Sequence, residues 1–137
     1  MSGVVVLDAE AFSSLARGRG PRYRVVHAAF EAAHRLGRDV VTPAVVLAEL
    51  YRGPRHNQFV DSCLSRETAI SVRTTDRDFA RLVGSVLATA RAGSTDLADA
   101  HVVAAAVESG GGMVLTGDAP DLTRLAAGYS NVHVEVL

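Results

Sequence analysis

The stretch Val4-Val5-Val6-Leu7-Asp8 decides the architecture. Four consecutive apolar residues, three of them β-branched, lack the alternation that would give a strand one wet face, so both faces should be covered. Parallel sheets in α/β proteins have this property, because their crossover helices pack on both sides. The run stops at a carboxylate, and a lone charge on such an element is costly to bury without a partner.

Outward from this run, helical and strand-like segments alternate. A helix is expected from near Glu10, broken by Gly18, Gly20 and Pro21. A second resumes over Tyr23 to Leu36, with Val26, Ala29, Phe30 and Ala33 at helical spacing and Gly37 closing it. Asp39 to Thr42 reads as the second strand. Thr42-Pro43 then starts a helix running to about Arg52, with Thr42 capping free N–H groups and Pro43 preorganised at the first position. Pro54 to Leu64 is helical and Ala69 to Val72 is the third strand. Thr75 caps a long helix with Asp76 and Asp78 in its first turn, favourable for the helix dipole. Asp96 to Ser109 forms a helix ended by Gly110-Gly111-Gly112, and Met113 to Thr116 is the fourth strand. Thr116-Gly117-Asp118 turns into a short helix, and Val132 to Val136 is the last strand. This order predicts an α/β fold with a mostly parallel five-stranded sheet flanked by helices.

The chain has 137 residues, 48% of them hydrophobic, which suits a single domain with a real core. Its formal charge is −1, so any attraction to nucleic acid must come from a local patch. Its 14 basic residues are all arginine. The absence of lysine removes Schiff-base chemistry and lysine-assisted phosphoaspartate sites. Cys63 is the one cysteine, so no internal disulfide or cysteine metal cluster can form, which fits a reducing, cytoplasmic setting. Met1 to Leu7 has no basic leader region, and the run Val102 to Val107 is far too short to span a bilayer, so no secretion signal or membrane anchor is expected.

In open parallel sheets the ligand crevice lies beyond the carboxyl ends of the strands, where strand order reverses. Asp8 and Asp118 both follow strands there. Glu49 has Val45, Val46 and Leu50 as helical neighbours, which predicts a carboxylate beside the buried stripe rather than on the solvent face. Asp99 repeats the pattern, with Val102, Val103 and Ala106 ahead on the same face. Asp96, one turn earlier, is either a helix cap or a further ligand. Taken singly, Asp8 and Asp118 are also candidate caps, and Glu49 could pair with Arg52. Four acids converging on one sheet edge are better explained by one shared cation. Hard oxygen donors with no cysteine or adjacent histidine suit Mg²⁺ or Mn²⁺. Such ions polarise a phosphoryl oxygen and activate water, which makes phosphodiester hydrolysis the natural reaction. Without metal, at least one carboxyl should have a raised pKa through mutual repulsion, unless an arginine intrudes.

Val4-Val-Val-Leu-Asp8, Thr42-Pro-Ala-Val-Val-Leu-Ala-Glu49-Leu-Tyr-Arg-Gly53, Asp99-Ala-His-Val-Val-Ala-Ala-Ala106 and Leu-Thr116-Gly-Asp118-Ala-Pro-Asp121-Leu together resemble a PIN-domain ribonuclease, closest to the VapC toxins of type II toxin-antitoxin pairs. The resemblance covers nearly the whole chain in the family's order. It implies a PIN-like three-layer sandwich, Mg²⁺- or Mn²⁺-dependent endoribonuclease activity, homodimerisation and inhibition by a cognate VapB-type antitoxin. Asp8, Glu49, Asp99 and Asp118 match the family's metal-binding acids, and Thr116 matches its hydroxyl residue that orients a carboxylate or water. Two departures stand out. Asp8-Ala9-Glu10 lacks the Ser, Thr or Asn that often follows the first aspartate, with Glu10 instead favouring a helix start. Asp96 duplicates Asp99.

For RNA, Arg17, Arg19, Arg22 and Arg24 with Tyr23 could neutralise phosphates and stack a base, or form a solvated loop. Arg52 and Arg55, flanking Gly53-Pro54, lie nearer Glu49 and could contact RNA or pair with acids. The histidines show no ligand spacing and read mostly as surface residues. Cys63 reads as a small buried hydrophobe. A phosphatase of the haloacid dehalogenase type or a receiver domain would want paired acids and a lysine, and both fall on the missing lysine. The remaining rival is a PIN-like module that binds RNA or a protein without cutting.

Overall fold

The computed structural model describes residues 3–137. Met1 and Ser2, part of the segment read for a targeting signal, lie outside the described residues. In chain order the elements are β1 (Val4–Leu7), α1 (Ala9–Arg17), α2 (Pro21–Arg35), β2 (Asp39–Pro43), α3 (Ala44–Leu50), α4 (Pro54–Arg66), β3 (Ile70–Arg73), α5 (Arg77–Ala90), α6 (Leu97–Glu108), β4 (Gly112–Thr116), α7 (Ala119–Ala126) and β5 (Val132–Val136). A 3₁₀ turn, Ser94–Asp96, leads into α6. The sheet has the order β3-β2-β1-β4-β5, and all four pairings are parallel.

The β1 run behaves as its composition requires. All four residues are buried. Val4 and Val6 join one core with α5, α6 and α7, while Val5 and Leu7 join a second core with α1, α2 and α4. Strand side chains alternate between faces, so a strand can be apolar throughout only where both faces are roofed. β1 is the centre of the sheet, with the chain running outward to β2 and β3 on one side and later to β4 and β5 on the other. Strand order therefore reverses between β1 and β4, and the crevice opens there.

Two capping expectations are corrected. Thr42 does not start α3: β2 continues through Pro43, whose partner on β3 is Arg73, and the Thr42 hydroxyl donates across the sheet to the Leu7 carbonyl at 3.2 Å. A residue before proline is biased to extended backbone, and here the hydroxyl already has a buried acceptor, so the helix begins one residue beyond the proline. At α5, Asp76 rather than Thr75 is the cap, accepting from the Phe79 N–H at 2.8 Å. The carboxylate makes a charge-assisted bond to that free donor.

α6 is the central helix of its layer. Every residue from Ala100 to Ala106 is buried, including His101. His101 is thus the exception to the expectation that most of the histidines lie at the surface. Its Nδ1 is 2.7 Å from the Leu97 carbonyl and its ring meets Phe79 edge-on, with centroids 5.7 Å apart. A helix apolar all round must be covered all round, and this fixes the position of its first turn. Among the described residues, no helix is long and apolar enough to cross a membrane.

β4 starts against β1 with no clearance. Gly112 pairs with Val4, and a Cβ added there would overlap the Val4 carbonyl oxygen and lie 2.7 Å from Val4 Cγ1. Backbone in a central strand cannot move aside, so Gly112→Ala should cost about 2–3 kcal/mol. Urea unfolding of the two proteins checks this; a variant as stable as the parent would show that the strands can separate.

Candidate metal and catalytic site

β1 delivers Asp8 into the crevice, where it remains 8% exposed. Its backbone N–H donates to the Leu115 carbonyl at 3.2 Å, continuing the contact with β4, and its Oδ1 accepts the Ala11 N–H at 2.8 Å. Asp8 is thus the cap of α1. Burial pushes its carboxyl above the ordinary range, and the Glu10 charge adds to this, while hydrogen bonds from Thr116, Ala11 and Gly117 hold it down. Capping does not withdraw Asp8 from the acids, because its charge is felt at Asp99.

Thr116 is completely buried at the end of β4. Its hydroxyl accepts the Asp118 N–H at 2.9 Å and lies 3.2 Å from the Asp118 carbonyl, besides holding down the Asp8 carboxyl. One hydroxyl therefore ties together the segments that carry two of the acids.

Asp99 lies in the first turn of α6 and is half-buried. Its carboxyl is raised from the ordinary 3.8 to about 6, first by burial, then by the charges of Asp8, Asp121, Glu49 and Asp96. The expected repulsion is present, but loss of water is the larger cause. One carboxylate oxygen from each of Asp96, Asp99 and Asp121 lies within 4.8 Å of the others. Asp96 precedes α6 yet makes no capping hydrogen bond; its Oδ2 instead receives Arg124 Nη2 at 3.0 Å. Arg124 also stands 3.7 Å from Asp121 Oδ1. Asp99 is thus raised even though an arginine stands beside its neighbours Asp96 and Asp121.

The other sequence candidates are less enclosed. Glu49 is exposed, a correction to its expected place off the solvent face. The short α3 buries Val46 and Leu47 in the two opposite cores, and Glu49, two residues beyond Leu47, is left at the outer rim. It remains near enough to raise Asp99. It does not pair with Arg52, whose Nη1 donates to the Ala48 and Tyr51 carbonyls at the end of α3, at 2.6 and 2.7 Å. Asp118 is exposed, caps nothing with its side chain, and is not among the acids that raise Asp99.

Sequence reading gave no role to Asp121 or Arg124. Their signal was available: Asp118, Asp121 and Arg124 recur at every third position from the residue before α7, whose second residue is Pro120, and lie toward one face. The arginines expected in a loop lie mostly on helices, a correction: Arg17 ends α1, Arg22 and Arg24 are in the first turn of α2, and Arg19 alone of the four lies between them. Arg22 is engaged with Glu10 at 3.0 Å, while Arg17, Arg19 and Arg24 are exposed. Burial pushes the Cys63 thiol up to about 11, so it is no nucleophile at neutral pH.

The donor set consists of carboxylate oxygens, and among the described residues Asp99 forms no ion pair. A desolvated acid facing other acids, with oxygen donors only, fits a hard divalent cation such as Mg²⁺ or Mn²⁺.

Comparisons with known proteins bear on the family and the fold. The family model for the PIN domain matches residues 5–127. Among solved structures, VapBC2 from Rickettsia felis, crystallised bound to a DNA fragment from its promoter, superposes with a TM-score of 0.66 at 14% identity, covering 98% of each chain. FitAcB from Neisseria gonorrhoeae gives a TM-score of 0.63 at 18% identity, covering 96% of each chain. No curated protein matches the sequence.

The raised Asp99 carboxyl makes metal-free stability depend on pH. Between the ordinary 3.8 and about 6 the folded protein keeps a proton that the unfolded chain has lost, so this contribution is present at low pH and is lost as pH rises through that window. Asp99→Asn removes the loss, and in chelator near pH 7 it should gain on the order of 1 kcal/mol over the parent, after discounting for partial exposure. The gain should vanish below about pH 4. Urea unfolding of both proteins at the two pH values checks this, and an advantage that grows on acidification would contradict it.

Proposed function

The chain belongs to the PIN-domain family, and on that premise we propose that it is a metal-dependent endoribonuclease, a VapC-like toxin restrained by a VapB-type antitoxin and acting as a homodimer. The observation that carries this reading is the convergence of Asp96, Asp99 and Asp121 beside Asp8 and Glu49 at the crevice. The fold shared with VapBC2 and FitAcB supports the toxin assignment and the antitoxin partner.

In this reading Asp99, Asp96 and Asp121 hold Mg²⁺ or Mn²⁺, Asp8 and Glu49 complete the negative field around them, and Asp118 is a further acid at the exposed rim. When bound, the cation supplies Lewis-acid polarisation of a phosphoryl oxygen and activation of water. Asp99 must give up its proton to take part, so loading should strengthen as pH rises through about 6. Thr116 positions Asp8 by hydrogen bonding, and so keeps the carboxylate aimed without adding charge. Exposed Arg17, Arg19 and Arg24 suit contact with RNA phosphates, whereas Arg22 and Arg52 already have partners. Arg22 can reach RNA only by leaving Glu10.

The test is cleavage of single-stranded RNA by the parent and by Asp99→Asn, with Mg²⁺ or Mn²⁺ and with chelator. Loss of cleavage by at least about 100-fold in the variant, and in the parent under chelator, is expected. Equal cleavage by a folded Asp99→Asn variant would overturn the assignment. RNA or protein binding without any cleavage by the parent would establish the non-catalytic alternative.

A further inference from the structure

Arg124 occupies the place of a cation. It lies on α7 one turn beyond Asp121, with Nη2 3.0 Å from Asp96 Oδ2 and 3.7 Å from Asp121 Oδ1. Those are two of the three acids whose carboxylate oxygens lie within 4.8 Å of one another. The third, Asp99, forms no ion pair among the described residues. The Arg124 side chain is 46% exposed and that of Asp96 only 13%, so the guanidinium reaches in from the solvent side to an acid that is mostly enclosed.

The other nearby arginines are committed elsewhere. Arg22 holds Glu10, Arg52 holds the carbonyls closing α3, and Arg73 holds Glu108 and Asp76 while lying over Phe79. Arg124 alone among them is placed on the candidate ligands. A guanidinium spreads one charge over a planar fork, and it engages carboxylate oxygens that a divalent ion would also need. Both cannot hold the same oxygens at once, so occupancy by one weakens the other. An exposed arginine pair is weak enough to be displaced.

We propose that Arg124 is a built-in competitor for the divalent cation: it holds Asp96 and Asp121 in the absence of metal and releases them when metal binds, which sets the concentration at which the site fills. This rests on the metal site argued above. It assigns Arg124 a positioning role, and the alternative is a plain staple between α7 and the turn before α6.

Binding of Mn²⁺, followed by electron paramagnetic resonance of the free ion, separates the two. Arg124→Gln should bind Mn²⁺ about three- to tenfold more tightly than the parent. Asp99→Asn should bind it more weakly. Thermal melting in chelator verifies that each variant is folded. In the parent itself, the Arg124 Nε–H resonance should move as Mg²⁺ is added, with a midpoint matching the dissociation constant, which gives a readout that no substitution can compromise. Unchanged or weaker Mn²⁺ binding by Arg124→Gln, with Asp99→Asn impaired, would overturn the competitor and leave the metal site standing. A resonance that stays fixed while Mg²⁺ binds would overturn it equally. Absence of Mn²⁺ binding by the parent would remove both.

Discussion

Everything about the site depends on a carboxylate placed at the end of a strand that has no wet face. β1 buries Val4, Val5, Val6 and Leu7 on alternating sides, and the next side chain, Asp8, is delivered to the reversal of strand order before any solvent is reached. An ionised group there must be compensated. The fold compensates it in part with the Ala11 and Gly117 N–H groups and the Thr116 hydroxyl, and burial still holds its carboxyl above the ordinary range. That residual deficit sets Asp8 apart from a cap whose charge is fully compensated.

Asp99 shows the same imbalance on the opposite wall. Because α6 is buried along Ala100 to Ala106, its first turn cannot swing outward to hydrate the acid. The packing of one helix thus imposes a charge cost on another part of the molecule. Neighbouring acids increase that cost, and the arginine available to relieve it reaches Asp96 and Asp121 rather than Asp99. Positive charge is needed at the centre of the group but is supplied at its margin.

Away from the crevice the charged residues act as fasteners. Arg73 at the end of β3 makes a two-oxygen contact with Glu108 at the end of α6, reaches Asp76 at the head of α5, and covers the Phe79 ring at 4.4 Å. One side chain therefore joins β3 to two helices of the layer that carries Asp99. Arg22 and Glu10 join the starts of α2 and α1. A Cβ at Gly117 would lie 2.7 Å from Glu10 Cβ, so this pair stands directly against the turn after β4. Glu10 is therefore held by an arginine at the edge of the site, in keeping with its sequence reading as a residue that favours the start of a helix.

The sequence by itself determined most of the elements. Pro21, read as a break, begins α2, whereas the uniform apolarity of β1, the glycine run before β4 and Pro54 at the start of α4 are local signals that the elements follow closely. It also marked Asp8 and Asp99, because a charge directly beside an apolar run is visible without coordinates. Tertiary structure decided what local pattern could not. Thr42 lost its capping role to a carbonyl 35 residues away, and Glu49 turned outward because the two faces of α3 serve different cores. Asp121 and Arg124 meet Asp96 only because α7 packs near the turn before α6. Caps, periods and breaks depend on neighbours in the chain, whereas the direction of a carboxylate and the cation that meets it depend on which elements the core presses together.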